Sequence, residues 1–155
     1  MMQRRTFLKG SLASSTVAVA MGAGLLSPRT VLAAWPKSAF GAKTVQDAIS
    51  AVHGSADTSP SSDIKIKAPD IAENGAVVPI TISTSITGIT DIAIVVEKNG
   101  SPLAANFKLS SSSKGFVATR IKMGKTSNVI AVVKAGGKSY SARKDVKVTI
   151  GGCGG

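Results

Sequence analysis

From residue 63 onward, apolar side chains recur at every second position, which is the spacing of β-strands. Ile64 and Ile66 alternate with Lys65 and Lys67 at the start of this region. The alternation or a dense apolar run marks seven segments, at residues 64–67, 78–82, 89–96, 103–109, 116–123, 129–134 and 140–150. Turns rich in Ser, Gly and Asn separate them at spacings of roughly ten residues. This pattern predicts an all-β fold.

The predicted fold is an immunoglobulin-like antiparallel β-sandwich of about seven strands, here without an internal disulfide. Residues 89–96 are almost continuously apolar and predict a central strand covered on both faces. A closed barrel is the alternative arrangement. Pro79 has no N–H to give to a strand ladder, so we expect it at a sheet edge or a bulge.

A short amphipathic helix is predicted before the strands, over residues 44–53. Thr44 can cap its start, Asp47 follows three residues later, and Gly54 is a natural stop. The domain prediction is therefore a helical segment and loop at 34–62 and a sandwich at 63–150.

Residues 1–33 have the three parts of an export signal. Their weakly apolar stretch, residues 12–26, is too short for a good membrane span. The basic start resembles a twin-arginine signal motif, formed by Arg4, Arg5, Phe7, Leu8 and Lys9. An ordinary secretory signal that happens to contain two arginines is the alternative.

Cleavage is expected after Ala33, with Ala34 as the second choice. It would remove four of the 19 basic residues, leaving 122 of the 155 residues and lowering the formal charge from +11 to +7. The expected location is the periplasm, reached by the twin-arginine route. This compartment is oxidising.

The chain contains one cysteine and one histidine. This scarcity excludes an internal disulfide and the usual zinc, haem and iron–sulfur ligand sets, so we expect no metal and no cofactor. The basic charge could suggest nucleic-acid binding, but export and an aromatic content of 4% argue against it.

The single cysteine, Cys153, lies beyond the last predicted strand and is flanked by Gly151, Gly152, Gly154 and Gly155. Glycine gives a backbone unusual conformational freedom. Five residues can extend about 17 Å. Residues 151–155 are therefore predicted to form a swinging arm that bears a thiol.

A thiolate is a soft nucleophile that forms reversible S–S bonds. A thiol enzyme would need a resolving cysteine or a nearby base, and His53 is distant in sequence. Cys153 therefore suits a covalent carrier better than an enzyme. An exported binding or structural module, with Cys153 in an intermolecular disulfide, is the alternative.

The chain resembles the SoxY family of sulfur carriers of bacterial thiosulfate oxidation. The resemblance includes the twin-arginine signal, the short helix before the sandwich and four segments of the mature chain, at residues 71–79, 95–99, 126–132 and 146–155. The final Gly-Gly-Cys-Gly-Gly after a strand is its most specific part.

This resemblance implies a non-enzymatic carrier whose Cys153 is the covalent attachment point for sulfur. It implies a heterodimer with SoxZ, and transient contacts with the haem enzyme SoxAX, the hydrolase SoxB and, where present, a sulfane dehydrogenase.

Scattered lysines are interpreted mainly as solvated strand faces and guards of sheet edges, namely Lys65, Lys67, Lys98, Lys122 and Lys147. Attraction of anionic thiosulfate or of acidic partner surfaces is a further hypothesis for them.

Overall fold

The computed structural model describes residues 36–110 and 112–149. The predicted signal peptide, its cleavage site and the predicted arm at 151–155 lie outside these residues. Within the described part of the chain, two helices precede nine strands. The helices are α1 (Lys37–Gly41) and α2 (Val45–His53). The strands are β1 (Ser59–Pro60), β2 (Ile64–Lys67), β3 (Ile71–Ala72), β4 (Val78–Thr84), β5 (Ile89–Val96), β6 (Leu103–Lys108), β7 (Phe116–Ile121), β8 (Ser127–Ala135) and β9 (Lys138–Val148).

The seven predicted strands correspond to β2 and to β4 through β9, so the prediction of a mostly-β antiparallel fold is confirmed. The two additional strands, β1 and β3, are two residues long and pair in parallel with β9. Such short pairings leave no periodic pattern in the sequence, because their partner lies far along the chain.

The strands form two sheets. The larger one has the order β1-β9-β8-β5-β6, with β3 also on β9, and the smaller one has the order β2-β4-β7. Ile80 and Ile82 of the smaller sheet share one buried core with Ile92 and Ile94 of the larger. None of these four isoleucine side chains is more than 1% exposed. Burial of this inner core therefore provides a large part of the hydrophobic stabilisation of the fold.

Strand β5 is covered on both faces, as its continuous apolar run predicts. Ile92 and Ile94 face the inner core, whereas Ala93 and Val95 belong to a second core with Ile49 of α2. The helices therefore form a third layer on the outer face of the larger sheet.

Helix α2 confirms the predicted start and stop. The Thr44 hydroxyl accepts a hydrogen bond from the Asp47 amide at 3.1 Å, which satisfies one of the free N–H groups at the helix start. Gly54 ends the helix with a φ of 86°, a conformation that glycine adopts without steric cost. Helix α1 was not predicted, because five residues are too few to show a helical period.

Pro79 lies in β4, the middle strand of the smaller sheet. Strand β2 ends where Lys67 pairs with Thr81, so Pro79 is paired only with Arg120 of β7. At Pro79 the sheet has a paired strand on one side only, as at a sheet edge. A residue without an N–H is tolerated at such a position.

Candidate functional site

Strand β9 is the described element that lies nearest to the cysteine in the sequence. Strand β9 ends at Val148, and Thr149 is the last described residue, four positions before Cys153. Cys153 and its four neighbouring glycines lie outside the described residues. Four residues span at most about 14 Å, so the end of β9 limits where the thiol can be. We call this end of the sandwich, where β5, β7 and β9 end, the arm end.

Strand β3 anchors β9 on one side. Ile71 and Ala72 pair in parallel with Lys147 and Val148. The Lys147 amide donates to the Asp70 carbonyl at 2.9 Å, and the Thr149 amide donates to the Ala72 carbonyl at 3.3 Å. These bonds fix the backbone as far as the last described residue.

The loop between β7 and β8 anchors β9 on the other side. The Thr126 hydroxyl accepts from the Val148 amide at 2.9 Å and lies 3.4 Å from the Val148 carbonyl. Two residues earlier, Val146 is completely buried in the inner core. The root of the predicted arm is thus held by backbone pairing, by a side chain and by the core.

Two further loops meet at the arm end. The Asn99 amide group donates to the Lys122 carbonyl at 2.7 Å, and its oxygen accepts from the Gly124 amide at 3.0 Å. Asn99 therefore ties the loop after β5 to the loop after β7. Between these loops lies an open cleft of about 730 Å³.

The cleft has a positive lining. Lys98, Lys122 and Lys125 line it together with one carboxylate, Glu97. Glu97 accepts from the Asn128 side chain at 3.0 Å and forms a 3.5 Å ion pair with Arg143. The interpretation of Lys98 and Lys122 as strand-face residues is wrong, because both lie in loops, beyond the ends of β5 and β7. Sequence reasoning missed the cleft, since its lysines meet only through the fold.

His53 lies at the opposite end of the sandwich. Its Nδ1 is 3.1 Å from the Ser139 hydroxyl, near the start of β9. Along an extended strand, Ser139 and Val148 are about 30 Å apart. A reach of about 14 Å beyond Thr149 cannot bridge that distance, which excludes a Cys153–His53 dyad within one chain.

Among residues 36–110 and 112–149 there is no group of three or more His, Cys, Asp or Glu side chains suited to a metal ion. In the same residues, no helix has the length and apolar character that crossing a membrane requires.

The family model for sulfur oxidation protein SoxY matches residues 49–153 of this sequence. The chain belongs to the SoxY family. The match begins within α2, spans every strand and ends at the cysteine.

One solved structure agrees with this assignment. The sulfur carrier protein SoxY from Chlorobium limicola f thiosulfatophilum is 51% identical, with a TM-score of 0.61, and the match covers 67% of this chain and 94% of that one. A superoxide reductase (neelaredoxin) from Ignicoccus hospitalis is 18% identical, with a TM-score of 0.50, and covers 55% of this chain and 79% of its own. At that identity the second likeness concerns the fold alone. No curated protein sequence matches the chain significantly.

Proposed function

We propose that this chain is a periplasmic sulfur carrier of thiosulfate oxidation, and that Cys153 holds the sulfur intermediates covalently. The observation that carries the proposal is the family match, which extends to residue 153, the only cysteine in the sequence. The related sulfur carrier from Chlorobium limicola supports the same role.

The geometry of β9 supports a carrier rather than an enzyme. The strand is anchored on both sides up to Thr149, and the thiol follows on a tether of four residues. A short tether on a rigid support lets a thiol enter the active sites of other proteins without rearranging its own domain. No base from the far end of the sandwich can reach it, as the position of His53 shows.

The proposed chemistry needs only the thiolate from this chain. The Cys153 thiolate and thiosulfate form an S–S bond and give up two electrons to the haem enzyme SoxAX, which leaves Cys–S–S–SO₃⁻. Water then cleaves the terminal sulfonate in the hydrolase SoxB, releasing sulfate and two protons and leaving a persulfide on Cys153. A sulfane dehydrogenase, where present, oxidises the remaining sulfur.

We further propose that the chain works as a heterodimer with SoxZ and is exported by the twin-arginine route through Arg4, Arg5, Phe7, Leu8 and Lys9. Two of its exposed large apolar side chains lie at the arm end, Ile71 at 56% and Val77 at 50% exposure. Apolar groups beside the root of the arm suit a surface that partner proteins cover during sulfur transfer.

Mass spectrometry of the protein from thiosulfate-grown cells tests the proposal. We expect the peptide that contains Cys153 to carry sulfur or thiosulfate adducts. Cys153→Ser should abolish thiosulfate oxidation and leave the thermal unfolding and SoxZ binding unchanged. A thiol that stays unmodified in such cells would contradict the carrier role. If Cys153→Ser altered only the oligomeric state, the role of the cysteine would be to form an intermolecular disulfide instead.

A further inference from the structure

We propose that the lysine-lined cleft at the arm end binds the sulfonate group of cargo attached to Cys153. The inference rests on the proposed carrier function, and it adds a binding site for the anionic end of that cargo. Its occupant is the last segment of this chain when it is loaded, not a separate small molecule.

The walls of the cleft are held together by hydrogen bonds. Asn99 joins both loops through Lys122 and Gly124 at 2.7 and 3.0 Å. Met123, between these two residues, is completely buried, and its amide donates to the Gly75 carbonyl at 2.7 Å. The backbone that presents the lysines is therefore fixed before any anion arrives, which lowers the entropic cost of binding.

The lysines of the cleft are not neutralised by nearby acids. The ion pairs found among residues 36–110 and 112–149 are Arg143 with Glu97 and Lys144 with Asp70, so Lys98, Lys122 and Lys125 take part in neither. Glu97, the carboxylate of the lining, is already bound by Asn128 and Arg143. Three lysines thus line an open cleft. Their positive charge favours an anionic occupant, such as a sulfonate, that stays ionised at neutral pH.

The cleft lies within reach of the cysteine. Thr126 is hydrogen-bonded to Val148, and Lys125 in the cleft wall is its neighbour in sequence. Cys153 can lie up to about 14 Å beyond Thr149. The tether also gives the sulfonate an effective concentration on the order of millimolar, so a site that binds free anions weakly can still hold the attached one.

The experiment makes the loaded form without the pathway enzymes. The thiolate of Cys153 attacks a central sulfur of tetrathionate, and the products are Cys–S–S–SO₃⁻ and thiosulfate. Protein alkylated with iodoacetamide gives a matched adduct without charge. Backbone amide resonances of Gly124 and Lys125 then report on the cleft.

We expect the sulfonate adduct, but not the neutral adduct, to shift the Gly124 and Lys125 resonances. The shifts should be independent of protein concentration. They should disappear at roughly 1 M NaCl, where the Debye length is about 3 Å. The double variant Lys122→Gln/Lys125→Gln should lose the adduct-dependent shift at Gly124. The control Lys114→Gln/Lys138→Gln removes the same charge at the other end of the sandwich and should keep it.

Equal spectra for the charged and neutral adducts would overturn the inference. Shifts that grow with protein concentration would also overturn it, because the cleft would then bind another molecule. These outcomes leave the carrier role standing if Cys153 bears sulfur adducts in cells. Conversely, the sulfonate adduct could shift the Gly124 and Lys125 resonances while Cys153 stays unmodified in thiosulfate-grown cells. That result would support an anion-binding cleft and refute the carrier role.

Discussion

At the scale of single residues, His53 is the buried ionisable group with the clearest consequence. It is 6% exposed, and its Nε2 has no hydrogen-bond partner. Burial lowers the pKa of His53 because the charged imidazolium loses its hydration, and Lys134 lowers it further. Asp91 acts in the opposite direction without overcoming the burial. The folded protein therefore favours the neutral ring.

We expect the free energy of unfolding to fall as the pH drops below about 6.5, the ordinary pKa of histidine. In that range the unfolded chain binds a proton on His53 that the folded chain resists, so protonation favours unfolding. Above it, the ring is neutral in both states and the contribution is constant. His53→Gln should remove this part of the pH dependence while leaving the other ionisable groups in place. Urea unfolding of both proteins between pH 5 and pH 8 checks it, and parallel profiles would contradict the prediction.

At the scale of elements, the end of β9 depends on a side chain outside its ladder. The pairing of β9 with β8 extends only to Val146 with Ser127, and the Val148 amide bonds to the Thr126 hydroxyl instead. Thr126→Val removes this acceptor at nearly constant shape. A net hydrogen bond contributes about 0.5–1.5 kcal/mol, so we expect the Val148 amide to exchange roughly 2- to 10-fold faster. Native-state hydrogen exchange followed by NMR measures this rate.

Thr90→Val is the matched control for the anchor. Thr90 is another exposed threonine, and its hydroxyl donates to the Lys134 carbonyl at 3.4 Å, at the end of the sandwich away from the arm. This variant should leave exchange at Val148 unchanged. If both variants accelerated it equally, the effect would be global destabilisation and Thr126 would have no local role.

The elements also show which parts of the fold local sequence can predict. Helix α2 was predictable because Thr44 and Gly54, its start and stop signals, lie within or next to it. Strand β5 was predictable because both of its faces are buried, so nearly every residue is apolar. Strand β3 and the contact of His53 with Ser139 were not, since each depends on residues more than 70 positions away.

At the scale of the whole molecule, the fold brings together lysines that are separated in the sequence, and this creates a local positive field. The formal net charge of the sequence is +11, but the sequence alone does not show where its basic residues lie in space. Lys98, Lys122 and Lys125 come together because β5 and β7 end at the same side of the sandwich. Cys153 was singled out from the composition and from its flanking glycines, and this stays a prediction, whereas the cleft at the arm end is visible only from the topology.

This field should select anionic reagents at Cys153. We expect the thiol to react with dianionic tetrathionate at a rate that falls several-fold from low ionic strength to roughly 1 M NaCl, because salt screens the attraction of the cleft. Reaction with neutral dithiodipyridine should show little salt dependence. Stopped-flow measurement of both rates gives the comparison.

The variants separate the local field from the net charge. Lys122→Gln/Lys125→Gln should slow tetrathionate at low salt and leave dithiodipyridine unaffected. Lys114→Gln/Lys138→Gln lowers the net charge by the same amount, but its lysines precede β7 and begin β9 at the far end of the sandwich. Beyond a Debye length of about 10 Å at 0.1 M salt, such distant charges are largely screened, so the control should react like the unaltered protein. Equal slowing by both variants would mean that net charge, and not the cleft, governs access to the thiol.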